Sequence, residues 1–115
     1  MSFRWPSKDP DETLDYSVDW SRFLDTATIN SVKWFVKSTL FNTKTEIAAG
    51  QTLTAASSNA TTDDLQNVAQ TNTTTVATIN VGGGQNNVEY TFFCQMTDTT
   101  GSTAERSIRL RLKER

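Results

Sequence analysis

A regular alternation of apolar and polar side chains across residues 88–112 constrains the fold of this chain more than any other feature. The apolar side chains of its first half recur with a period of two, which is typical of a strand with one buried face: Val88, Tyr90, Phe92, Cys94 and Met96. Residues 98–102 include Asp98 and Gly101, residue types that favour a turn. The period of two then resumes with Ile108, Leu110 and Leu112. The stretch therefore predicts one long β-hairpin, with Cys94 as a small core residue.

Other parts of the chain predict further strands. Residues 14–20, 29–37 and 75–81 also alternate with a period of two. Residues 45–48 and 52–55 fit a short hairpin, whereas residues 56–75 are rich in Ser, Asn and Thr and fit a loop or weakly specified strands. Within that polar segment, the sequence from Thr61 to Ala69 also allows one or two helical turns with an N-cap.

Six or seven strands separated by turns predict an all-β protein. We expect a single antiparallel β-sandwich of immunoglobulin or fibronectin-III type over residues 13–115. Residues 1–12 contain Pro6 and Pro10, which favour extended backbone and disfavour a helix or a central strand. We therefore predict an extended N-terminal arm followed by one Ig-like domain.

Composition argues against several classes of function. The 115 residues include no histidine and one cysteine, so histidine-dependent triads, most zinc sites and a disulfide framework are not expected. The absence of disulfides fits assembly in a reducing cytoplasm. No apolar run approaches the roughly 20 residues that span a bilayer, and the N-terminus has no secretory pattern. We expect no enzymatic activity, cofactor, small-molecule substrate or membrane partner.

Charge is distributed unevenly along the chain. Acidic residues concentrate in residues 9–19 and basic residues in residues 106–115, although the net charge is only −2. The favoured interpretation is that the two ends lie close together and offset each other's fields. The alternative is a basic strand that contacts nucleic acid. No aromatic residues interleave these basic residues, so a stacking platform for bases is lacking.

The arm itself offers two interpretations. Trp5 either packs against its own domain or anchors the arm on a neighbouring subunit, and the sequence does not choose between them. For the second case we take as candidate interface residues the following set: Phe3, Arg4, Trp5, Pro6, Lys8, Arg109 and Arg111. Exposed strand edges would add strands between subunits. On this interpretation Trp5→Ala impairs assembly and leaves the isolated domain folded.

The two ends of the sequence resemble a known family. The N-terminal strings are Phe3-Arg4-Trp5-Pro6, Lys8-Asp9-Pro10-Asp11-Glu12, Leu14-Asp15-Tyr16 and Asp19-Trp20-Ser21. The C-terminal strings are Asp98-Thr99-Thr100-Gly101 and Glu105-Arg106-Ser107, followed by the alternating residues up to Leu112. Together they resemble small virion structural proteins of tailed bacteriophages, described as fibre–tail adaptors or proteins of the head–tail region.

That resemblance implies a non-enzymatic virion protein that is present in several copies. Its partners would be other virion proteins of the tail, neck, fibre or capsid, and its location would be the virion after assembly in the host cytoplasm. The leading hypothesis is an adaptor in the tail or neck region that links components through its arm and sheet edges. The alternatives are a capsid decoration protein and, with less support, a structural protein that contacts nucleic acid.

Overall fold

The computed structural model describes residues 3–39, 43–54 and 62–113. The strands in these ranges are β1 (Phe3–Arg4), β2 (Leu14–Asp19), β3 (Ile29–Ser38), β4 (Thr45–Glu46), β5 (Thr52–Thr54), β6 (Thr62–Asn72), β7 (Val76–Gly82), β8 (Glu89–Asp98) and β9 (Thr103–Arg111). One short helix, α1 (Ser21–Leu24), connects β2 to β3. The predicted all-β class is therefore confirmed.

The strands form two sheets that pack face to face. One sheet has five strands in the order β1-β9-β8-β3-β4, and the other has four in the order β2-β7-β6-β5. All pairings are antiparallel except that of β1 with β9. The predicted single β-sandwich is confirmed. This strand order, and a Tyr90 hydroxyl that accepts a hydrogen bond from the Gln85 backbone N–H at 2.9 Å, favour an immunoglobulin-type fold, which stays a prediction.

The predicted hairpin forms the middle of the larger sheet. β8 pairs with β9 from Glu89–Arg111 to Thr97–Thr103, and its other edge pairs with β3. Inward residues along β8 are buried and outward ones are half-buried. At the turn, Asp98 Oδ1 accepts hydrogen bonds from the Thr100 N–H at 2.9 Å, the Thr100 hydroxyl at 2.6 Å and the Ser102 N–H at 3.0 Å.

The core lies between the sheets and contains residues of both. Cys94 is buried there, as predicted, and burial raises the pKa of its thiol to about 12. The largest fully buried apolar side chains are Trp20, Trp34, Tyr90, Phe92, Ile47, Leu53, Leu65, Ile79, Met96, Ile108 and Leu110. Ile47, Leu53 and Leu65 lie in the polar middle of the sequence, so this segment also contributes to the core.

Two expectations for the middle of the chain are wrong. β4 pairs with β3 and β5 pairs with β6, so the two strands expected to form one hairpin belong to different sheets. Residues 62–69 belong to strand β6 rather than to helical turns. β6 lies between β5 and β7, and pairing on both sides outweighs the local N-cap signal. Residue 55 of the expected hairpin and residues 56–61 of the polar segment lie outside the described residues.

Candidate functional site

Residues 3–8 lie along the edge of their own domain. β1 pairs in parallel with β9, and the Trp5 backbone N–H donates to the Arg109 carbonyl at 2.9 Å. Lys8 continues this pairing through its N–H to the Arg111 carbonyl at 3.1 Å, and its carbonyl accepts from the Lys113 N–H at 2.8 Å. Residues 3–8 therefore lie beside residues 108–113. The acidic residues 9–19 and the basic residues 106–115 approach each other where Arg106 donates to the Asp19 carbonyl. The extended backbone expected around Pro6 is used to form an edge strand.

Trp5 packs against this same domain, which is one of the two interpretations considered above. Its ring stacks on Tyr16 with centroids 4.7 Å apart and lies 5.3 Å from Phe92 and 6.0 Å from Trp34. Its Nε1–H donates to the Ser17 carbonyl at 3.3 Å. Trp5→Ala is therefore a variant that affects stability, and it does not test partner binding cleanly.

Lys8 is fully buried at the end of the segment. Its ammonium donates to the carbonyls of Asp9 and Gly83, each at 2.8 Å. Burial lowers the pKa of Lys8, and the nearby Glu12, Asp9 and Asp11 act in the opposite direction. These contacts fasten the segment to its own domain, so the buried Lys8 ammonium is not accessible to a partner.

A groove opens between the two sheets beside this segment, with a volume of about 320 Å³. It is lined by Arg4, Trp5, Ser17, Val18, Asp19, Arg106 and Ile108. These residues come from β1 and β9 of one sheet, from β2 of the other, and from the residue after β1. Trp5, Val18 and Ile108 supply an apolar floor, and the two arginines supply positive charge at the rim. We define these seven residues as the edge groove.

The two rim arginines are held differently. Arg106 Nη1 donates to the Asp19 carbonyl at 3.1 Å, and its guanidinium lies 4.7 Å from the centroid of the Trp20 ring. A hydrogen bond from the Ser21 N–H, with a smaller effect of Arg106, lowers the pKa of the Asp19 carboxyl. Arg4 contacts Glu89 at 3.3 Å but its side chain remains 57% exposed. Arg4 is therefore the more accessible cation for an incoming acceptor.

The outer edge of β2 is partly covered by the same residues. Trp5 donates to the Ser17 carbonyl, and Arg106 donates to the Asp19 carbonyl. A strand that paired with this edge would have to displace both hydrogen bonds. The groove consequently suits an inserted side chain better than an added strand.

The remaining candidate residues lie outside the groove. Arg109 and Arg111 are exposed on the outer face of β9, where Arg109 is in register with Arg4. Pro6 is exposed, and its carbonyl accepts a hydrogen bond from the Tyr16 hydroxyl at 3.1 Å. Phe3 pairs in register with Ile108 through the backbone of β1. The structure thus brings Arg4 and Trp5 together at the groove and leaves Arg109 and Arg111 on the sheet face.

Sequence reasoning did not identify Arg106 as a site residue. Arg106 is in register with the buried Cys94, at a position that the alternation of Ile108 and Leu110 assigns to the inward face. A charged residue at an inward position near a sheet edge is a signal that was available in the sequence. Its guanidinium reaches β2 and closes one side of the groove.

No group of three or more His, Cys, Asp or Glu residues that could hold a metal ion occurs in the described part of the chain. Within the same ranges, no helix is long and apolar enough to cross a membrane.

A model of one protein family matches residues 8–111, and that family is described as podophage GP4 fiber-tail adaptor protein gp77. The chain belongs to this family. The match covers β2 to β9 and confirms the resemblance to phage fibre–tail adaptors. Because it begins at Lys8, the Phe3-Arg4-Trp5-Pro6 string and the β1 part of the edge groove lie outside the matched span. No curated protein matches the sequence. Membership of this family supports a structural adaptor role for the protein.

Proposed function

We propose that this protein is a non-enzymatic adaptor of the phage virion that joins tail or fibre components through the edge groove. The observation that carries the proposal is the combination of an open cavity of about 320 Å³, an apolar floor that includes Trp5, and an exposed Arg4 at the rim. Its partners are other virion proteins, and several copies act in one particle.

The chemistry of the groove suits a protein ligand. Tryptophan and arginine are enriched among the residues that dominate binding energy at interfaces, especially where an aromatic ring lines a pocket. A partner would insert an apolar side chain against Trp5 and Val18 and place a carboxylate or carbonyl beside Arg4. The rigid floor favours this mode, because Trp5 is already held by Tyr16 and Phe92 before binding.

Exchange of the exposed rim charge tests this proposal. In a phage that lacks its own copy of the gene, Arg4→Glu supplied in trans is expected to reduce the amount of this protein per purified particle. Arg22→Glu is the matched control, since Arg22 is exposed on α1 and lies outside the groove. Both variants should unfold at similar temperatures, which separates folding from assembly. Equal incorporation of the two variants would contradict a role for the groove.

A further inference from the structure

An aromatic pair lies on the outer face of the five-stranded sheet, away from the core. Phe35 on β3 and Phe93 on β8 are directly opposite each other in the antiparallel register, and both are half-buried. Their neighbours along each strand, such as Trp34 and Phe92, are buried on the inward side. The alternation of the strands therefore directs both phenylalanines outward.

Lysine side chains lie over the two rings and shield them partly from solvent. Lys44 Nζ lies 5.0 Å from the ring centroid of Phe35 and 4.8 Å from that of Phe93, and Lys37 Nζ lies 5.9 Å from the Phe93 centroid. Lys44 also forms an ion pair of 2.7 Å with Glu105, although its side chain is 40% exposed. Exposed cation–π contacts and exposed ion pairs each contribute little to stability. A partner would therefore displace Lys44 from the rings at small cost.

Positive charge surrounds the pair. Six described basic residues lie on this face: Arg4, Lys33, Lys37, Lys44, Arg109 and Arg111. Three described acidic residues lie among them: Glu46, Glu89 and Glu105. Six positive and three negative charges leave the face with an excess of three positive charges, in a chain whose net charge is −2. We define this surface, centred on Phe35 and Phe93, as the basic sheet face.

We propose that the basic sheet face binds an acidic surface of another virion protein, which places an apolar side chain against Phe35 and Phe93. Charge complementarity selects the partner, since an acidic surface would meet the two lysines of β3, Lys33 and Lys37, and the two outward arginines of β9, Arg109 and Arg111. This inference rests on the adaptor role proposed above and extends it to a second contact. An adaptor joins two bodies, and the edge groove and the basic sheet face are two surfaces of the sandwich that have only Arg4 in common.

The observations favour a protein over a nucleic acid as the occupant. Glu89 contacts Arg4 and Glu105 contacts Lys44, so two of the cations on this face already have carboxylate neighbours. These carboxylates would repel a continuous phosphate backbone, whereas a protein surface can place its own acids selectively beside Lys33 and Lys37. The half-buried rings also provide limited area for stacked bases.

Zero-length cross-linking of purified particles tests the identity of the occupant. A carbodiimide joins lysine ammonium groups to carboxylates that are already in contact, and mass spectrometry identifies the joined peptides. We expect Lys33, Lys37 or Lys44 to be joined to Asp or Glu residues of a different virion protein. Cross-links from these lysines only to this chain's own acidic residues, or the absence of any such cross-link, would overturn the proposal.

Add-back binding separates this surface from the edge groove. Purified protein is titrated onto particles that were produced without it, and the bound amount gives an apparent affinity. The double variant Phe35→Thr and Phe93→Thr should bind about tenfold more weakly, the usual scale for loss of an interface anchor. Val68→Thr is the matched control, because Val68 is 45% exposed on β6 in the other sheet.

A charge variant keeps the test decisive if the phenylalanine variant does not fold. Lys33→Glu with Lys37→Glu should also weaken binding by about tenfold or more and reduce its dependence on salt. Wild-type affinity for this variant, combined with weak binding of Arg106→Gln, which removes a groove charge that lies off the outer face, would overturn the basic sheet face and leave the groove standing. The reverse pattern would overturn the groove alone. Binding of both proteins to single-stranded DNA is measured in parallel. If the wild type binds this DNA and the charge variant does not, while both bind particles equally well, the inference is also overturned.

Discussion

The Trp5 ring lies stacked on the Tyr16 ring with centroids 4.7 Å apart and an angle of 20° between the planes. Trp5 follows β1 of the five-stranded sheet, and Tyr16 belongs to β2 of the four-stranded sheet, so this stack joins the two sheets at an open edge. The same contact forms part of the floor of the edge groove. Stability of the domain and the shape of its proposed binding site therefore depend on one side chain.

Trp5→Ala is expected to lower the free energy of unfolding by about 3 kcal/mol, because it removes ring contacts with Tyr16, Phe92 and Trp34 and leaves a cavity. Trp5→Phe should cost less, since an aromatic ring remains. Urea denaturation measures both. Val68→Ala is a control at an exposed position and should change the free energy of unfolding by less than about 0.5 kcal/mol. A Trp5→Ala domain as stable as this control would show that the stack does not stabilise the sandwich.

Lys8→Met is expected to destabilise the domain by about 1–3 kcal/mol. The substitution removes the donor of two hydrogen bonds and leaves the Asp9 and Gly83 carbonyls without that partner. Lys113→Met provides the control, because Lys113 is exposed at the end of the same edge. Equal denaturation midpoints for the two variants would refute the fastening role of Lys8.

Cys94 makes the stability of the domain decrease as the pH becomes alkaline. Its pKa is raised from 9.0 to about 12 in the folded protein, so the unfolded chain loses the thiol proton at lower pH than the folded chain does. The stability that this group contributes is fully present below pH 9 and is lost as pH rises towards about 12. The slope approaches about 1.4 kcal/mol per pH unit. The free energy of unfolding of Cys94→Ala, measured by urea denaturation at each pH, should fall less steeply between pH 9 and about 12 than that of the wild type. Parallel plots of this free energy against pH for the two proteins would contradict the prediction.

Asp98 makes the stability of the domain decrease as the pH becomes acidic. The Thr100 hydroxyl, followed by backbone N–H groups of the turn, holds the pKa of the Asp98 carboxyl below 3.8. Its contribution is present above that value and is lost as pH falls through the folded pKa. Asp98→Asn should therefore show a smaller loss of stability on acidification than the wild type, measured by thermal unfolding across this pH range. An identical acid response would exclude this turn as a titrating element.

The sequence was sufficient to predict the elements whose alternation is long. β8 and β9 bury one face over many residues, so a period of two identifies both the strands and the buried position of Cys94. The same holds for β2 with Tyr16 and Val18. The family resemblance, which was based on residues at the two ends, is confirmed by a match that covers most of the chain.

The middle of the chain was harder because its strands are specified by neighbours rather than by their own pattern. In β6, Asn67 is buried and donates to the Ile47 carbonyl at 2.9 Å, so a polar residue occupies a core position. Its alternation is further interrupted by an irregularity between Asn67 and Ala69. Such positions read as polar loop in a sequence, and only the tertiary contacts identify them as a strand.

Only part of the candidate site could be predicted, because it too depends on contacts between segments that are distant in the sequence. Aromatic and charged residues in the N-terminal segment drew attention to Arg4 and Trp5, which do line the groove. Whether Trp5 packs against its own domain or docks on a neighbouring subunit depends on the pairing of the N-terminal segment with β9. The β9 carbonyls that accept its hydrogen bonds lie about a hundred residues away in the sequence, so local patterns do not reveal this pairing. The basic sheet face was also missed, because Phe35 and Phe93 meet only through the register of β3 and β8.

Cryo-electron microscopy of purified particles shows most directly whether the protein is a tail adaptor that holds a partner in its edge groove. We expect density for the sandwich at the tail, with a side chain of a neighbouring virion protein packed against Trp5 and Val18 and an acceptor beside Arg4. Density for the sandwich on the capsid lattice, or a tail position in which the groove faces solvent, would contradict it.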